Sequence, residues 1–187
     1  PYDWTRMLHF LAARCVKGVE IVTGDEYLRT IRLDDYAGWI LVRDAPAGSA
    51  LLVEVAPSLA HVVPAIERRL QHLFDPSAQP DIIAEHLARD ERLAPAVRRR
   101  PGLRVPGAFD GFELATRAIL GQQITVKAAT TLAGRFAAAF GDPIDAPPAG
   151  LTHLSPSAHR IASASIPEIA SLGIIQTRAR SIIAIAQ

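Results

Sequence analysis

The sequence predicts an α+β fold: an N-terminal antiparallel sheet with packed helices, followed by an all-helical region. Three observations support this division. Short β-rich runs separated by turn residues fill positions 19–55, and apolar residues recur at helical spacing before and after them. Between the two regions, a basic and proline-marked connection at 96–107 interrupts any continuous helix. We therefore predict an α+β domain at 1–107 and a helical domain at 108–187.

The first region begins with a helix and continues as an antiparallel meander. Apolar residues at helical spacing predict a helix within 2–16, with Asp3 as its N-cap. Four β-rich runs follow, and in the last of them Leu51, Val53 and Val55 alternate with polar Glu54, as in a strand with one wet face. The runs are Val19–Val22, Tyr27–Leu33, Trp39–Val42 and Leu51–Val55, with turn signals that include Ala47 and Gly48.

Helical spacing returns after the sheet and continues to the end of the sequence. It marks residues 59–74, and Pro80 suits the first turn of a further helix. Apolar residues at every fourth position predict a buried helix at 124–140. Three helix starts are indicated in the second region: Asp110 with Glu113 and Ser165 with Glu168 as capping boxes, and Ser155 before Pro156 as an N-cap.

The last predicted helix is strongly apolar along one face. Ile175, Ala179, Ile182, Ile183 and Ala186 share this face, and no glycine, proline or terminal cation closes the helix. We therefore expect a further C-terminal portion to cover the face. Burial against a dimer partner is the alternative interpretation.

Composition narrows the classes of function. The chain has 187 residues, of which 49% are hydrophobic, and a formal net charge of +1. It can bury a sizeable core. A net charge near zero does not decide whether the protein binds a polyanion, because one face can still be basic. The single cysteine, Cys15, and the six histidines show no zinc-ligand spacing, so we expect neither a metal nor a cofactor. No apolar run reaches about 18 residues and the first residues lack a signal-peptide pattern, so we expect a cytoplasmic protein.

Two adjacent glutamines, Gln122 and Gln123, interrupt the apolar pattern within RAILGQQIT at 117–125. Gly121 can adopt the left-handed conformation that ends a helix, which places the glutamines at the start of the next helix. Free N–H groups and the positive end of the helix dipole suit a phosphate there, and amide side chains can contact base edges. From the residues alone, the simpler interpretation is that both amides only satisfy groups at the helix ends.

Other candidate residues have two interpretations each. An arginine cluster either holds phosphates or belongs to a solvated linker; its members are Arg98, Arg99, Arg100 and Arg104. The ring of Phe10 lies off the tightest apolar stripe of the first helix, so it either stacks on a ligand or packs in the core. No pair of carboxylates stands out for acid and base catalysis.

Two longer segments resemble a known family. They are PYDWTRMLHFLAARCVKGVE at 1–20 and RRPGLRVPGAFDGFELATRAILGQQITVKAATTLAGRF at 99–136. Together and in this order they resemble the 3-methyladenine DNA glycosylase II family, within the helix-hairpin-helix DNA glycosylase superfamily. The resemblance implies that the helical region is a partial helix-hairpin-helix glycosylase domain. It further implies base-excision repair, in which alkylated bases such as 3-methyladenine and 7-methylguanine are flipped out of double-stranded DNA and their N-glycosidic bond is hydrolysed.

The resemblance also implies roles for particular residues. Gln123, with Gln122 beside it, takes the position of the side chain that fills the gap left by a flipped base. Phe10 and Arg14 take positions in the base pocket, where an aromatic ring attracts a cationic purine.

Three further residues are expected to contact DNA phosphates: Gly121, Thr125 and Arg104. The hairpin and the catalytic aspartate of the family would follow Gln187, so we expect no catalytic residue in this chain. The segment alone is then inactive or poorly active as a glycosylase. The family also includes modules fused to an Ada-like regulatory protein, and such a fusion is a further expectation.

Two other classes of function stay open. Residues 112–140 could form a helix-turn-helix in which the two glutamines contact adenine, as the DNA-binding module of an alkylation-response transcription regulator. Against this, the second helix offers only Lys127 and Arg135 as cations and is too apolar on all sides for a recognition helix. A purely structural or protein-interaction domain is the third class.

Overall fold

The computed structural model of the protein describes residues 2–45, 50–145, 147–148 and 150–187. Within the described residues, one antiparallel sheet is followed by helices, as the sequence predicts. The turn signal at Ala47 and Gly48 lies outside the described residues. The elements, in chain order, are α1 (Trp4–Ala12), β1 (Glu20–Thr23), β2 (Glu26–Leu33), β3 (Tyr36–Asp44), β4 (Leu51–Val55), a 3-10 helix (Pro57–Val62), α2 (Val63–Phe74), α3 (Pro80–Leu87), α4 (Ala94–Arg99), α5 (Gly111–Gly121), α6 (Val126–Phe140), α7 (Ala158–Ala162), α8 (Ile166–Ala170) and α9 (Gln176–Ala184).

The sheet is a meander in which each strand pairs with the next. Its order is β1-β2-β3-β4, and the register places Thr30 opposite Trp39 and Val42 opposite Val53. The predicted alternation of β4 is only partly correct, because Leu51 and Val55 are half-buried whereas Val53 is exposed. β4 is an edge strand of the described sheet, so its middle is covered less completely than the central strands are.

The first hydrophobic core lies between α1, the sheet and α2. The side chains of Tyr27, Ile40, Leu59 and Phe74 are fully buried in it. Asp3 caps α1 as predicted, since its carboxylate accepts a hydrogen bond from the backbone N–H of Arg6. This core fixes α1 against the sheet and therefore determines where the C-terminal end of α1 lies.

The linker begins with a short helix that the sequence did not indicate. α4 includes Arg98 and Arg99, and the chain is irregular only after them. The irregular part is tied to the first region at two points. The carbonyl of Gly102 accepts a hydrogen bond from the N–H of Asp3 at 2.9 Å, and the N–H of Gly107 donates to the carbonyl of Leu73 at 2.9 Å.

Two of the three predicted helix starts differ in detail from the structure. Ser165 and Glu168 form a full capping box. Asp110 caps α5, but the side chain of Glu113 does not return to the cap because it pairs with arginines. α7 is capped by Ser157, two residues after the expected Ser155. The hydroxyl of Ser155 instead donates to Glu113 at 2.7 Å.

The second core is built mainly from α5 to α9. It also contains Val16 and Val19, which come from the first region of the sequence. The predicted boundary near residue 107 stays a prediction, since residues from both sides of it share this core. Among the described residues, no helix is long and apolar enough to span a bilayer.

The expectation that the apolar face of the last helix is uncovered is wrong at its centre. Ala179 and Ile182 are fully buried against the other helices of the second core. Ile183 and Ala186 are half-buried, and only Ile175 of the predicted stripe is largely exposed. The predicted burial of 124–140 holds for the second half of α6 only, where the buried side chains are Ala133, Phe136, Ala137 and Phe140.

We predict that Gly107→Ala lowers the free energy of unfolding by about 1–3 kcal/mol, as overpacked sites do. A Cβ at Gly107 would lie 2.1 Å from the backbone oxygen of His72. The matched control is Gly111→Ala, because a Cβ there meets nothing within 4 Å. Urea unfolding of both variants measures the difference, and equal stability of the two would contradict the prediction.

Candidate nucleic-acid interface

The turn between α5 and α6 presents two exposed glutamines. After the end of α5, Gln122 has φ −59° and ψ 126°. Gln123 has φ 56°, in the left-handed region, and both residues are exposed. A left-handed conformation costs a residue with a Cβ roughly 1–2 kcal/mol, because the Cβ approaches the next carbonyl oxygen. The turn therefore holds Gln123 in a conformation that glutamine rarely adopts by itself.

Gly121 does not take the left-handed conformation that we expected at the end of α5. It is the last helical residue, and the positive φ occurs two residues later at Gln123. The guanidinium of Arg178 donates hydrogen bonds to the carbonyls of Leu120 and Gln122 on either side of Gly121. The expectation was wrong because the left-handed residue is Gln123. A guanidinium from a distant helix contacts the carbonyl of the residue before it.

Thr125 caps the N-terminus of α6. Its hydroxyl accepts a hydrogen bond from the N–H of Ala128 at 3.2 Å, as N-cap threonines commonly do. The N–H groups of Val126 and Lys127 come before the first intrahelical hydrogen bonds and lie at the positive end of the helix dipole. Residues 125–128 are all exposed. The start of α6 therefore offers backbone donors to an anion that approaches from solvent.

Phe10 and Arg14 contact each other at the C-terminal end of α1. Phe10 is 39% exposed, although α1 buries its other face in the first core. The guanidinium carbon of Arg14 lies 3.8 Å from the centroid of the Phe10 ring, and its Nη1 donates to the carbonyl of Phe10 at 3.2 Å. The structure thus brings together the two residues predicted for a base pocket, with a cation already on the ring.

Both residues line a cleft of about 310 Å³ between α1, the linker and α5. α5 contributes Leu114, Arg117 and Ala118 to its wall. The volume is at the lower end of the range of about 300–1,000 Å³ that is typical of ligand pockets. Ala118 precedes Gln122 by four residues, about one turn or roughly 6 Å along the helix. α5 therefore connects the cleft to the exposed turn.

Four of the charged side chains that line the same cleft form a group that we call the charge network: Glu20, Arg29, Glu113 and Arg117. Arg29 lies 2.8 Å from Glu113 and 3.6 Å from Glu20. Arg117 lies 3.1 Å from Glu20 and 3.2 Å from Glu113. Each arginine therefore contacts both carboxylates. The network joins β1 and β2 to α5.

Burial and the neighbouring charges shift the pKa values of Glu113 and Arg29 in opposite directions. Burial alone would raise the pKa of Glu113, but the guanidiniums of Arg29 and Arg117 and the hydroxyl of Ser155 lower it below its usual value. Burial alone would lower the pKa of Arg29, but the carboxylates of Glu113 and Glu20 raise it. Glu113 and Arg29 are therefore charged at neutral pH, and both carboxylates of the network are paired with arginines.

The predicted phosphate contact at Arg104 has internal partners. Its Nε donates to the carbonyl of Asp75 at 3.1 Å, and its Nη1 donates to Gly102 at 3.3 Å. Its guanidinium carbon also lies 5.1 Å from the ring centroid of Tyr2. These contacts place Arg104 against the first region, and a phosphate contact there stays a prediction. The other members of the arginine cluster, Arg98, Arg99 and Arg100, are exposed.

The described part of the chain contains neither a cluster of metal ligands nor an activated thiol. There, no three His, Cys, Asp or Glu side chains come together as a metal site. Burial and the nearby Glu20 carboxylate raise the pKa of Cys15 to about 12. The Cys15 thiol is therefore a poor nucleophile near neutral pH.

Comparison with known protein families accounts for most of the chain. The model of the AlkA N-terminal domain matches residues 1–110. The model of the HhH-GPD superfamily of base excision DNA repair proteins matches residues 116–187. The chain belongs to the 3-methyladenine DNA glycosylase II family.

Individual relatives are similar over the same residues. The chain is 36% identical over 186 residues to DNA-3-methyladenine glycosylase 2 of Escherichia coli, covering 100% of this chain and 63% of that protein. It is 36% identical over 162 residues to a probable bifunctional transcriptional activator/DNA repair enzyme AlkA of Mycobacterium tuberculosis, covering 87% of this chain and 32% of that protein. A solved 3-methyladenine DNA-glycosylase from Archaeoglobus fulgidus superposes with a TM-score of 0.84 at 22% identity, covering 100% of this chain and 63% of that one.

Sequence reasoning missed two features of this member of the glycosylase II family. The first is the charge network, whose members come from three separate segments of the sequence. A signal was present, because Glu113 and Arg117 are one helical turn apart on an otherwise apolar helix. The second is Arg178, which meets the glutamine turn from 56 residues away, and no local pattern indicates that contact.

We predict that Glu113→Gln lowers the free energy of unfolding near neutral pH by on the order of 3 kcal/mol, because it leaves the buried Arg29 with one charged partner fewer. Urea unfolding provides the measurement. Glu91→Gln, at an exposed glutamate, is the control and should change stability little.

The predicted loss depends on pH. Because the pKa of Glu113 is lower in the folded than in the unfolded chain, its stabilisation is complete above the unfolded value of about 4.3 and disappears as pH falls through the folded value. The stability difference between the wild type and Glu113→Gln should therefore close in acid. A difference that stays constant from about pH 7 to about pH 2 would rule out this electrostatic account.

Proposed function

We propose that this chain recognises DNA for an alkylbase glycosylase of base-excision repair. In this proposal, the exposed turn at 121–125 enters the duplex and the Phe10 cleft receives the flipped base. The observation that carries the proposal is the left-handed, exposed Gln123, held at the end of a helix that also walls an aromatic cleft. The name of the Escherichia coli relative, DNA-3-methyladenine glycosylase 2, supports the same function.

Gln123 is the side chain that we propose to fill the space of the flipped nucleotide. Flipping breaks stacking at a cost of a few kcal/mol, so an inserted side chain must replace part of the lost contact. A glutamine can also donate to and accept from the orphaned partner base through its amide. Gln122 lies beside it in the same turn and serves as the second member of the wedge.

We propose that the Phe10 ring stacks on the flipped base. Purines such as 3-methyladenine and 7-methylguanine carry a positive charge, which the face of an aromatic ring attracts. Arg14 occupies that face in the free chain at 3.8 Å, so it has to move when a base enters. A cationic base can replace the lost cation–π contact, whereas a neutral base replaces it less well.

Phosphate contacts in the proposal come from the start of α6. Gly121 and Thr125 flank the turn, and the N–H groups of Val126 and Lys127 point out of the first helical turn. Backbone donors at a helix start can hold a DNA phosphate next to the flipped nucleotide. The exposed arginines of the linker add a charge attraction that depends on salt.

Bond cleavage needs a group outside the residues described so far. Removal of a cationic purine leaves an oxocarbenium-like sugar, which a carboxylate can stabilise as in glycoside hydrolysis. The carboxylates of Glu20 and Glu113 are paired with arginines and do not fit this role. We propose that the catalytic aspartate follows Gln187 and that the 187 residues alone are inactive or poorly active. The chain spans 63% of the length of the Escherichia coli relative.

The structure of α6 gives little support to the helix-turn-helix alternative. A recognition helix presents polar side chains to the major groove. In α6, Arg135 donates to the carbonyl of Leu172 at 3.2 Å, and the second half of the helix is buried.

Fusion to an Ada-like regulator and a cytoplasmic location stay predictions. The name of the Mycobacterium tuberculosis relative, which includes a transcriptional activator, favours the former.

We predict that the chain binds a duplex with an abasic-site mimic more tightly than the same duplex intact, because the vacated space accepts Gln123 without the cost of flipping. Fluorescence anisotropy at two salt concentrations measures both affinities, which should weaken as salt rises. Equal affinity for the two duplexes would overturn the proposed function.

The same experiment tests the wedge itself. Gln123→Ala should lower the abasic preference about three- to tenfold, the worth of one or two hydrogen bonds. Gln71→Ala, at an exposed glutamine of α2, is the control and should leave the preference unchanged. Thermal unfolding should be nearly the same for both variants, since a large loss of stability at Gln123→Ala would indicate a structural role.

We predict that Phe10→Ala weakens binding to a duplex with one 7-methylguanine about two- to fivefold, and binding to the intact duplex much less, because a cation–π contact is lost. Tyr36→Ala is the matched control, since Tyr36 is also an aromatic residue with 39% exposure. Equal losses on the two duplexes for Phe10→Ala would contradict the pocket assignment.

A further inference from the structure

The orientation of one peptide group determines the shape of the glutamine turn. The φ and ψ of Gln122 and the positive φ of Gln123 fit a type II β-turn, in which the first central residue has φ and ψ near −60° and 120° and the second has positive φ. A type I turn differs chiefly by rotation of the peptide that joins these two residues. In a type II turn the second position favours glycine, so glutamine there needs an external contact that selects the rarer peptide orientation.

Arg178 of α9 supplies a contact to that same peptide. Its Nη2 donates to the carbonyl oxygen of Gln122, which belongs to the peptide between the two glutamines. Its Nη1 donates to the carbonyl of Leu120, one of the last residues of α5, at 3.4 Å. One planar guanidinium therefore contacts the end of the helix and the middle of the turn at once.

The donor is held in place by the packing of α9. Arg178 is half-buried, and its neighbour Ala179 is fully buried in the second core, as is Ile182 one turn later. The carbonyls that it contacts are among those left without intrahelical partners at the C-terminal end of α5. Arg178 thus satisfies the carbonyl of buried Leu120 and the carbonyl of exposed Gln122.

We propose that Arg178 is a positioning residue for the wedge: it holds the Gln122–Gln123 peptide in the type II orientation and so directs Gln123 outward. This inference rests on the proposed function, because it assigns the purpose of the turn to insertion into DNA. Without the guanidinium, the peptide can rotate toward type I geometry, which brings Gln123 to negative φ and moves its Cβ. The side chain then no longer leaves the turn in the direction needed for the gap.

The test compares Arg178→Met and Arg178→Lys with Arg180→Met. Arg180 is an exposed arginine on the same helix, so its variant removes the same charge without touching the turn. Affinities are measured by fluorescence anisotropy for the intact duplex and for the duplex with an abasic-site mimic. We expect both Arg178 variants to lower the abasic preference about three- to tenfold and Arg180→Met to leave it unchanged.

A second arm places Arg178→Met in the Gln123→Ala background. If Arg178 acts through Gln123, the double variant loses no more abasic preference than Gln123→Ala alone. If Arg178 contacted a phosphate directly, the two losses would add and Lys would largely restore binding, and either result would overturn the inference. Amide NMR shifts of Gln123 and Ile124 in the free Arg178→Lys chain should change, since the peptide rotates without DNA.

The outcomes separate this inference from the proposed function. No abasic preference in the wild type would overturn the proposed function, and the assignment of Arg178 with it. A wild-type preference that both Arg178 variants retain would overturn the assignment of Arg178 alone. Should Arg178→Met fail to fold, Arg178→Lys keeps the charge and the apolar stem, and its binding and NMR shifts decide between the same outcomes.

Discussion

The charge network between the sheet and α5 is the interaction on which the arrangement of the candidate interface depends. Arg29 is a buried cation on a central part of the sheet, and a buried charge is tolerated only when it is paired. Glu113 is its nearest partner, which fixes the first turn of α5 against β2. Arg117, one turn later, contacts Glu20 of β1, and two anchored turns together fix the direction of the helix. The cleft beside Phe10 and the turn beyond Gly121 take their positions from that helix.

α5 therefore has different tasks at its two ends. Its first two turns contribute Glu113 and Arg117 to the charge network and so attach the helix to the sheet. Its last turn passes into the exposed glutamines, where Arg178 supplies the only cationic contact to the turn carbonyls among the described hydrogen bonds. A fixed support beneath an exposed turn suits the proposed insertion of Gln123 into DNA, because the entropic cost of ordering the turn is met before binding.

Local features of this fold could be predicted from the sequence, and long-range ones could not. Asp3 and Ser165 cap their helices as predicted, because a cap depends on residues three positions away. Glu113 and Ser155 looked like members of helix caps as well, but they pair with each other and with Arg29 across the fold. The apolar face around Ile182 was expected to be covered by a further segment, whereas the described second core buries its centre; periodicity could not identify the covering helices.

The candidate site likewise combines features that the sequence indicated with a long-range contact that it did not indicate. The resemblance singled out Phe10, Arg14 and the glutamine pair as a group, and the structure places the first two in contact. The left-handed position was assigned to Gly121 by residue type, whereas it falls at Gln123 beside a distant guanidinium. Such a contact has no signature in a single sequence, since it depends on how α9 packs.

The guanidinium of Arg14 covers one face of the Phe10 ring in the free chain, although the ring as a whole is 39% exposed. A ligand that stacks there exchanges one planar cation for another, and its net gain is the difference between two similar contacts. Exchange of this kind favours discrimination over tight binding, because a ligand must displace an internal partner that the same helix holds at high local concentration. A cation therefore already contacts the Phe10 ring in the absence of a ligand.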